Sequence, residues 1–371
     1  MTQSGWRTLF VSDKLTTTEH WPQCLDALKQ AFNVIQHEQS LSAYKNWQVA
    51  LVKALQSLDV PAWRISQVLS DHNDWIYRQA IQVSLDEMQQ QGWGHPPCRF
   101  CVLTLGSGAR HESLLGPDQD NAMIIEDYPE ERHLEIDTWF QSLAERFTDK
   151  LHDAGIPLCK GHVMARWPLW RKPLSQWCEQ MRLWSGRRTV KLVQLSNILL
   201  DFSPVYGHRE LAHDFRNYLT ELMPNASLFL DEMNALQDET RVALDRFDRI
   251  VGDDQDAPHQ YALNLKRQGL LPMQAALRLL ALRKGVKEQD CLGRIEVLTA
   301  QNVLSQTKAE ALKEAFKLLF DLLLASQMKA TSLNRVPDGW IDRRELTESR
   351  LLQLKTALIE VRSLQKMAAT A

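Results

Sequence analysis

Residues 99–126, RFCVLTLGSGARHESLLGPDQDNAMIIE, constrain this chain most: two short apolar runs flank a polar loop that begins with glycine. Such runs are too short for core helices and too uniformly apolar for strands with one wet face. They suit strands buried on both sides. A chain that carries them must cover a sheet on both faces, and the sequence on either side is helical. The expected fold is therefore α+β. A small mixed sheet occupies residues 96–207, between an N-terminal helical region at 1–95 and a C-terminal helical bundle at 208–371.

From residue 18 to about 92, segments such as WPQCLDALKQAF and ISQVLSDHNDWIYRQAIQVSLDEMQQQ repeat apolar positions three and four apart. Gly92, Gly94, Pro96 and Pro97 then break the pattern. Between Pro129 and Gly155 a helix is expected, with Trp139, Leu143, Phe147 and Leu151 on one face. The run LSNILLDF, ending at Ser203-Pro204, reads as a third strand. Beyond 208 the pattern is helical. Pro272 falls in a first turn and Gly285 at a stop, the span from Ser305 to Ala330 is one long helix, and Leu351, Leu354, Leu358 and Val361 stripe another.

Composition narrows the function classes. The 371 residues are 44% hydrophobic and 24% charged, with no apolar run long enough for a bilayer. A net charge of -3 and a pI near 6.4 argue against a protein that coats nucleic acid, and no nucleic-acid partner is expected. The opening MTQSGWRTLFVSDK lacks the pattern of a secretory or transit signal, and six scattered cysteines form no disulfide framework. A cytoplasmic location is the expectation.

The chemistry concentrates in the loop. Gly106-Ser107 closes the first run, where a missing Cβ and a small hydroxyl let phosphate oxygens approach. After ten intervening residues Asp118 and Asp120 flank Gln119 ahead of the second run, and strand alternation aims both carboxylates to one face. Two like charges held together are costly unless a cation such as Mg²⁺ sits between them. Arg110 suits phosphate oxygens, and Glu112 can orient Arg110 or a nearby backbone amide.

The segment GSGARHESLLGPDQDNAMI resembles the glycine-serine and spaced aspartate pair of the polymerase-β nucleotidyltransferase superfamily. More narrowly, it is similar to the nucleotidyltransferases related to the PII-protein uridylyltransferase. DEMQQQGWGHPPCRFCVLTLGS, CKGHVMARWPLWRKPLSQW and LLDFSPVYGHREL are similar to neighbouring family segments, and LPMQAALRLLALRKGV and ALKEAFKLLFDLLLASQ to its helical substrate-binding domain. The likeness spans roughly residues 50 to 330.

The resemblance implies a third carboxylate, Asp201, that ligates the metal or deprotonates the acceptor. It also implies Mg²⁺ or Mn²⁺, a nucleoside triphosphate such as ATP or UTP, and an acceptor hydroxyl that can belong to a protein. Catalysis and metal binding would then fall to Asp118, Asp120 and Asp201, and nucleotide binding to Gly106, Ser107, Arg110 and Glu112. One position departs: Ser203 stands where the family commonly carries arginine, which leaves that contact either absent or supplied by Arg187, Arg188 or Lys191. The departure leaves open a different class of function, a non-catalytic regulatory or scaffold protein that keeps the fold.

Other features have plainer readings. Cys98 and Cys101 lack the further ligands a zinc site needs. His111 is a loop histidine or a base. Trp167, Trp170, Trp177 and Trp184 are core anchors before they are base-stacking platforms, and His152 and His162 are structural.

Overall fold

A computed structural model describes residues 21–37, 41–236, 241–252 and 257–370. Residues 1–20, which include the segment read for targeting signals and the first part of the expected helical region, lie outside them. The N-terminal helices are α1 (Asp26–His37), α2 (Leu41–Ser57) and α3 (Ala62–Gln90). The last is 29 residues long, buries Ile65, Leu69, Ile76 and Ala80, and stops just before Gly92, whose φ is +84°.

The two apolar runs are strands β1 (Phe100–Leu105) and β2 (Asn121–Ile125), buried at every residue. A one-turn helix, α4 (Gly106–Ala109), follows β1, and α5 (His133–Asp153) follows β2 and buries the expected Trp139, Leu143, Phe147 and Leu151. Next come β3 (Arg171–Pro173), α6 (Leu174–Arg187), α7 (Val190–Leu199), β4 (Phe202–Gly207) and α8 (Arg209–Leu222). The sheet order is β3-β2-β1-β4, with β1 antiparallel to both neighbours and β2 parallel to β3.

One expected strand is corrected. LSNIL is the end of α7, and the strand begins only at Phe202. Val193, Ser196 and Leu199 are fully buried three residues apart, a helical spacing that a short apolar run conceals. The true strand carries Pro204, which an edge strand tolerates because it owes fewer ladder hydrogen bonds, and a bulge at Val205.

The chain forms two compact units. One runs to Met181 and takes in Ile198–Asn217, so α3 and the sheet share a unit across the expected division at 95; the other takes in Arg182–Asn197 and everything from Tyr218 onward. In the second, α9 (Ser227–Ala235), β5 (Ala262–Asn264), α10 (Leu271–Arg283), α11 (Cys291–Ala300), α12 (Gln306–Ser332), β6 (Trp340–Asp342) and α13 (Glu348–Thr370) build the expected helical bundle, with β5 paired to β6. Pro272 lies in the first turn of α10, Gly285 follows it at φ +63°, and Ser305 caps α12. No described helix is long and apolar enough to cross a membrane.

Candidate active site

Sheet topology sets the site. Because β1 runs antiparallel to both neighbours, the starts of β2 and β4 meet at its C-terminal end. There Leu105 N–H donates to Asp120 O and Gly106 N–H to Asp201 O, each at 2.9 Å. Residues far apart in sequence thus flank the glycine turn.

Gly106 has φ +56°, a left-handed conformation that glycine adopts without penalty, and a Cβ built on it would stand 3.8 Å from Asp120 Oδ2. The turn is closed by Arg110 N–H to Gly106 O at 3.1 Å and Glu112 N–H to Ser107 O at 2.9 Å. Ser113 Oγ donates to Ser107 Oγ at 3.4 Å.

Asp118 and Asp120 do share a face. Between them Gln119 is fully buried, its Nε2 donating at 2.8 Å to Thr148 O and to Ile156 O, which leaves both carboxylates turned the other way. Asp118 is exposed and Asp120 half-buried. A parallel bridge pairs Gln119 with Leu158, so the residue after each, Asp120 and Cys159, lie side by side. Ligand atoms of Asp118, Asp120 and Cys159 all lie within 4.8 Å of one another. Burial first, and then the charge of Asp120, push the Cys159 thiol up to about 11.

Asp201 does not join that group. Phe202 pairs with Leu105, so Asp201 is one residue out of step with the face that carries Asp120. Its carboxylate is fully buried and accepts from Arg110 Nη1 at 2.7 Å, while Arg110 Nε donates to Glu112 Oε2 at 2.9 Å. Arg110, expected at the phosphates, is itself only 5% exposed and bridges two acids inside the fold. Glu112 is thus in contact with Arg110.

A small open cleft is lined by Ser107, Asp118 and Asp120, and by Asn73, Asp74 and Tyr77 of α3. The helix is tied to the loop at several points. Ser70 Oγ accepts from Ser113 N–H at 3.1 Å, Asp71 holds His111 Nδ1 at 3.0 Å, and Asn121 Nδ2 donates to Tyr77 Oη at 3.4 Å. Burial above all, and then the charges of Asp120, Asp74 and Asp118, raise the Tyr77 hydroxyl well above its ordinary value. Gln48 of α2 in turn donates to Asn73 Oδ1 at 2.8 Å.

Sequence reasoning expected the helix α3 but placed neither it nor Cys159 at the site. Only the pair Asn73-Asp74, polar residues inside an apolar repeat, marked the helix, and only the similarity of the CKGHVMA segment marked the thiol. His111 is a tether to α3. Trp170 and Trp177 are core, Trp177 Nε1 donating to Met123 O at 3.0 Å, whereas Trp167 is 44% exposed. Cys101 is buried and Cys98 half-buried, both outside the three-donor group. Arg187, Arg188 and Lys191 belong to the second unit.

Two family models match the chain. Residues 48–191 match the family described as "Putative nucleotidyltransferase DUF294", and residues 227–371 match its "Putative nucleotidyltransferase substrate binding domain". No curated protein matches. With the glycine turn and the aspartate pair inside the first match and the helical bundle inside the second, the chain belongs to this nucleotidyltransferase family.

Proposed function

We propose that this site moves a nucleoside monophosphate from a nucleoside triphosphate, ATP or UTP, to a hydroxyl acceptor such as a protein side chain, with pyrophosphate leaving. The observation that carries the reading is the convergence of Asp118 and Asp120 beside a glycine turn that places no side chain against them. Two carboxylates at the mouth of an open cleft fit a hard divalent cation, Mg²⁺ or Mn²⁺. Asp118 and Asp120 would hold it; when bound, it neutralises triphosphate charge and polarises the phosphoryl group. No lysine or arginine is among the described residues that line the cleft, so the nucleotide is expected to enter with its cation and to bind poorly without one. Gly106 N–H is spent on Asp201, which leaves the Ser107 hydroxyl, supported by Ser113, to donate to phosphate. Arg110, Glu112 and Asp201 hold the turn in shape.

The test is purified protein with Mg²⁺ and each labelled triphosphate. Label transferred to the protein itself or to a lysate protein, with pyrophosphate released, and lost in Asp118→Asn and Asp120→Asn, supports the reading. No transfer, with both variants indistinguishable from the parent, sinks it. The burial of Asp201 in an ion pair favours the second reading, a nucleotide-binding regulator. Calorimetric binding of nucleotide without any release of pyrophosphate would mark that protein.

A further inference from the structure

We propose that Cys159 is a third donor to the cation held by Asp118 and Asp120, so that the same site takes thiophilic divalent cations such as Cd²⁺, Co²⁺ or Zn²⁺ in a mixed sulfur–oxygen shell. The inference rests on the reading that these two acids hold a cation, and not on the transfer reaction. Its geometric basis is that a sulfur and two carboxylate oxygens lie within 4.8 Å of one another. Donors around one tetrahedral zinc sit at about 2.0–2.3 Å from it, and hence roughly 3.5 Å apart. Small side-chain rotations close the difference.

The backbone assembles this set. The isolated bridge between Gln119 and Leu158 holds the segments bearing Asp120 and Cys159 in step, so the juxtaposition is a property of the fold. Two glycines keep neighbouring space clear of side chains: an added Cβ would lie 3.8 Å from Asp120 Oδ2 at Gly106 and 3.6 Å from Cys159 Sγ at Gly161.

Ligand softness separates two modes of occupancy. Mg²⁺ prefers oxygen and water and would stay on the carboxylates, whereas Cd²⁺, Co²⁺ and Zn²⁺ accept thiolate sulfur. On binding such a cation the Cys159 S–H bond breaks, a sulfur–metal bond forms, and the proton passes to solvent without change of oxidation state.

The experiment titrates the full chain with Cd²⁺ and follows sulfur-to-metal charge-transfer absorption in the ultraviolet. One saturable equivalent is expected, its band lost in Cys159→Ser. In Asp120→Asn, which leaves the thiol in place, affinity should fall at least ten-fold; circular dichroism checks that each variant is folded. If Cys159→Ser does not fold, the Asp118→Asn, Asp120→Asn double variant decides, since loss of the saturable band supports the proposal. A band unchanged in Cys159→Ser or in the double variant, or no band in the saturated parent, overturns it. Nucleotidyl transfer in Mg²⁺ is assayed on the same preparations. A Cys159-dependent band without transfer overturns only the transferase reading, and transfer without the band overturns only this one.

Discussion

Gly106 shows how much of the site rests on single residues. At φ +56° an added Cβ opposes the backbone, and Gly106→Ala is expected to cost about 1–2 kcal/mol of stability. Gly207, at φ +88°, is less forgiving, because its Cβ would lie 2.3 Å from Phe100 O. Gly207→Ala should therefore lower the chemical-denaturation midpoint further than Gly106→Ala, and equal midpoints would refute the clash. The Arg110–Asp201 pair makes a different demand. Removing the Asp201 charge leaves a guanidinium buried with one acid fewer, and Asp201→Ala should destabilise the protein by about 3–5 kcal/mol in equilibrium unfolding, as for other broken buried pairs. A loss within about 0.5 kcal/mol, the range of ordinary surface changes, would show that Arg110 finds other compensation.

At the scale of elements, α3 is the brace of the active-site loop. Ser70→Ala removes the acceptor from the Ser113 amide and should cost about 1–3 kcal/mol, with faster hydrogen exchange over residues 107–115 as the specific sign. Exchange unchanged in that loop would mean that α3 does not hold it. In the second unit, Asp342 at the end of β6 accepts from the Arg344 side chain at 2.6 Å and from its amide at 2.9 Å. The Arg344 contact holds this carboxyl down at about 2, below its unfolded value of about 3.9. A depressed acid stabilises fully above its unfolded pKa and loses that contribution as pH falls through its folded one. The unfolding midpoints of the parent and Asp342→Asn should thus differ at pH 7 and converge between about pH 4 and pH 2.

The whole molecule passes between its two units three times, after Met181, Asn197 and Asn217, so a single cut does not separate them. A fragment that stops at Gly207 loses Phe215, whose ring lies 5.2 Å from that of Phe202 and 5.9 Å from that of Trp177, and Arg216, which donates to Leu200 O and Phe202 O. It should be less stable than one ending at Leu222 by at least about 3–5 kcal/mol, the loss typical of a buried phenylalanine, and equal denaturation curves would place α8 outside the unit's core. This dependence also separates what is local from what is not. The order of residues alone determined the two buried strands, the glycine turn, the shared face of Asp118 and Asp120 and most helices, because each follows from period or alternation over a few neighbours. Tertiary structure decided that LSNIL is helical, that Asp201 pairs with Arg110, and that Cys159 and α3 stand beside the aspartates. The partner of a buried charge is chosen by strand register and helix docking, which join residues across long stretches of chain and leave no periodic trace in either partner.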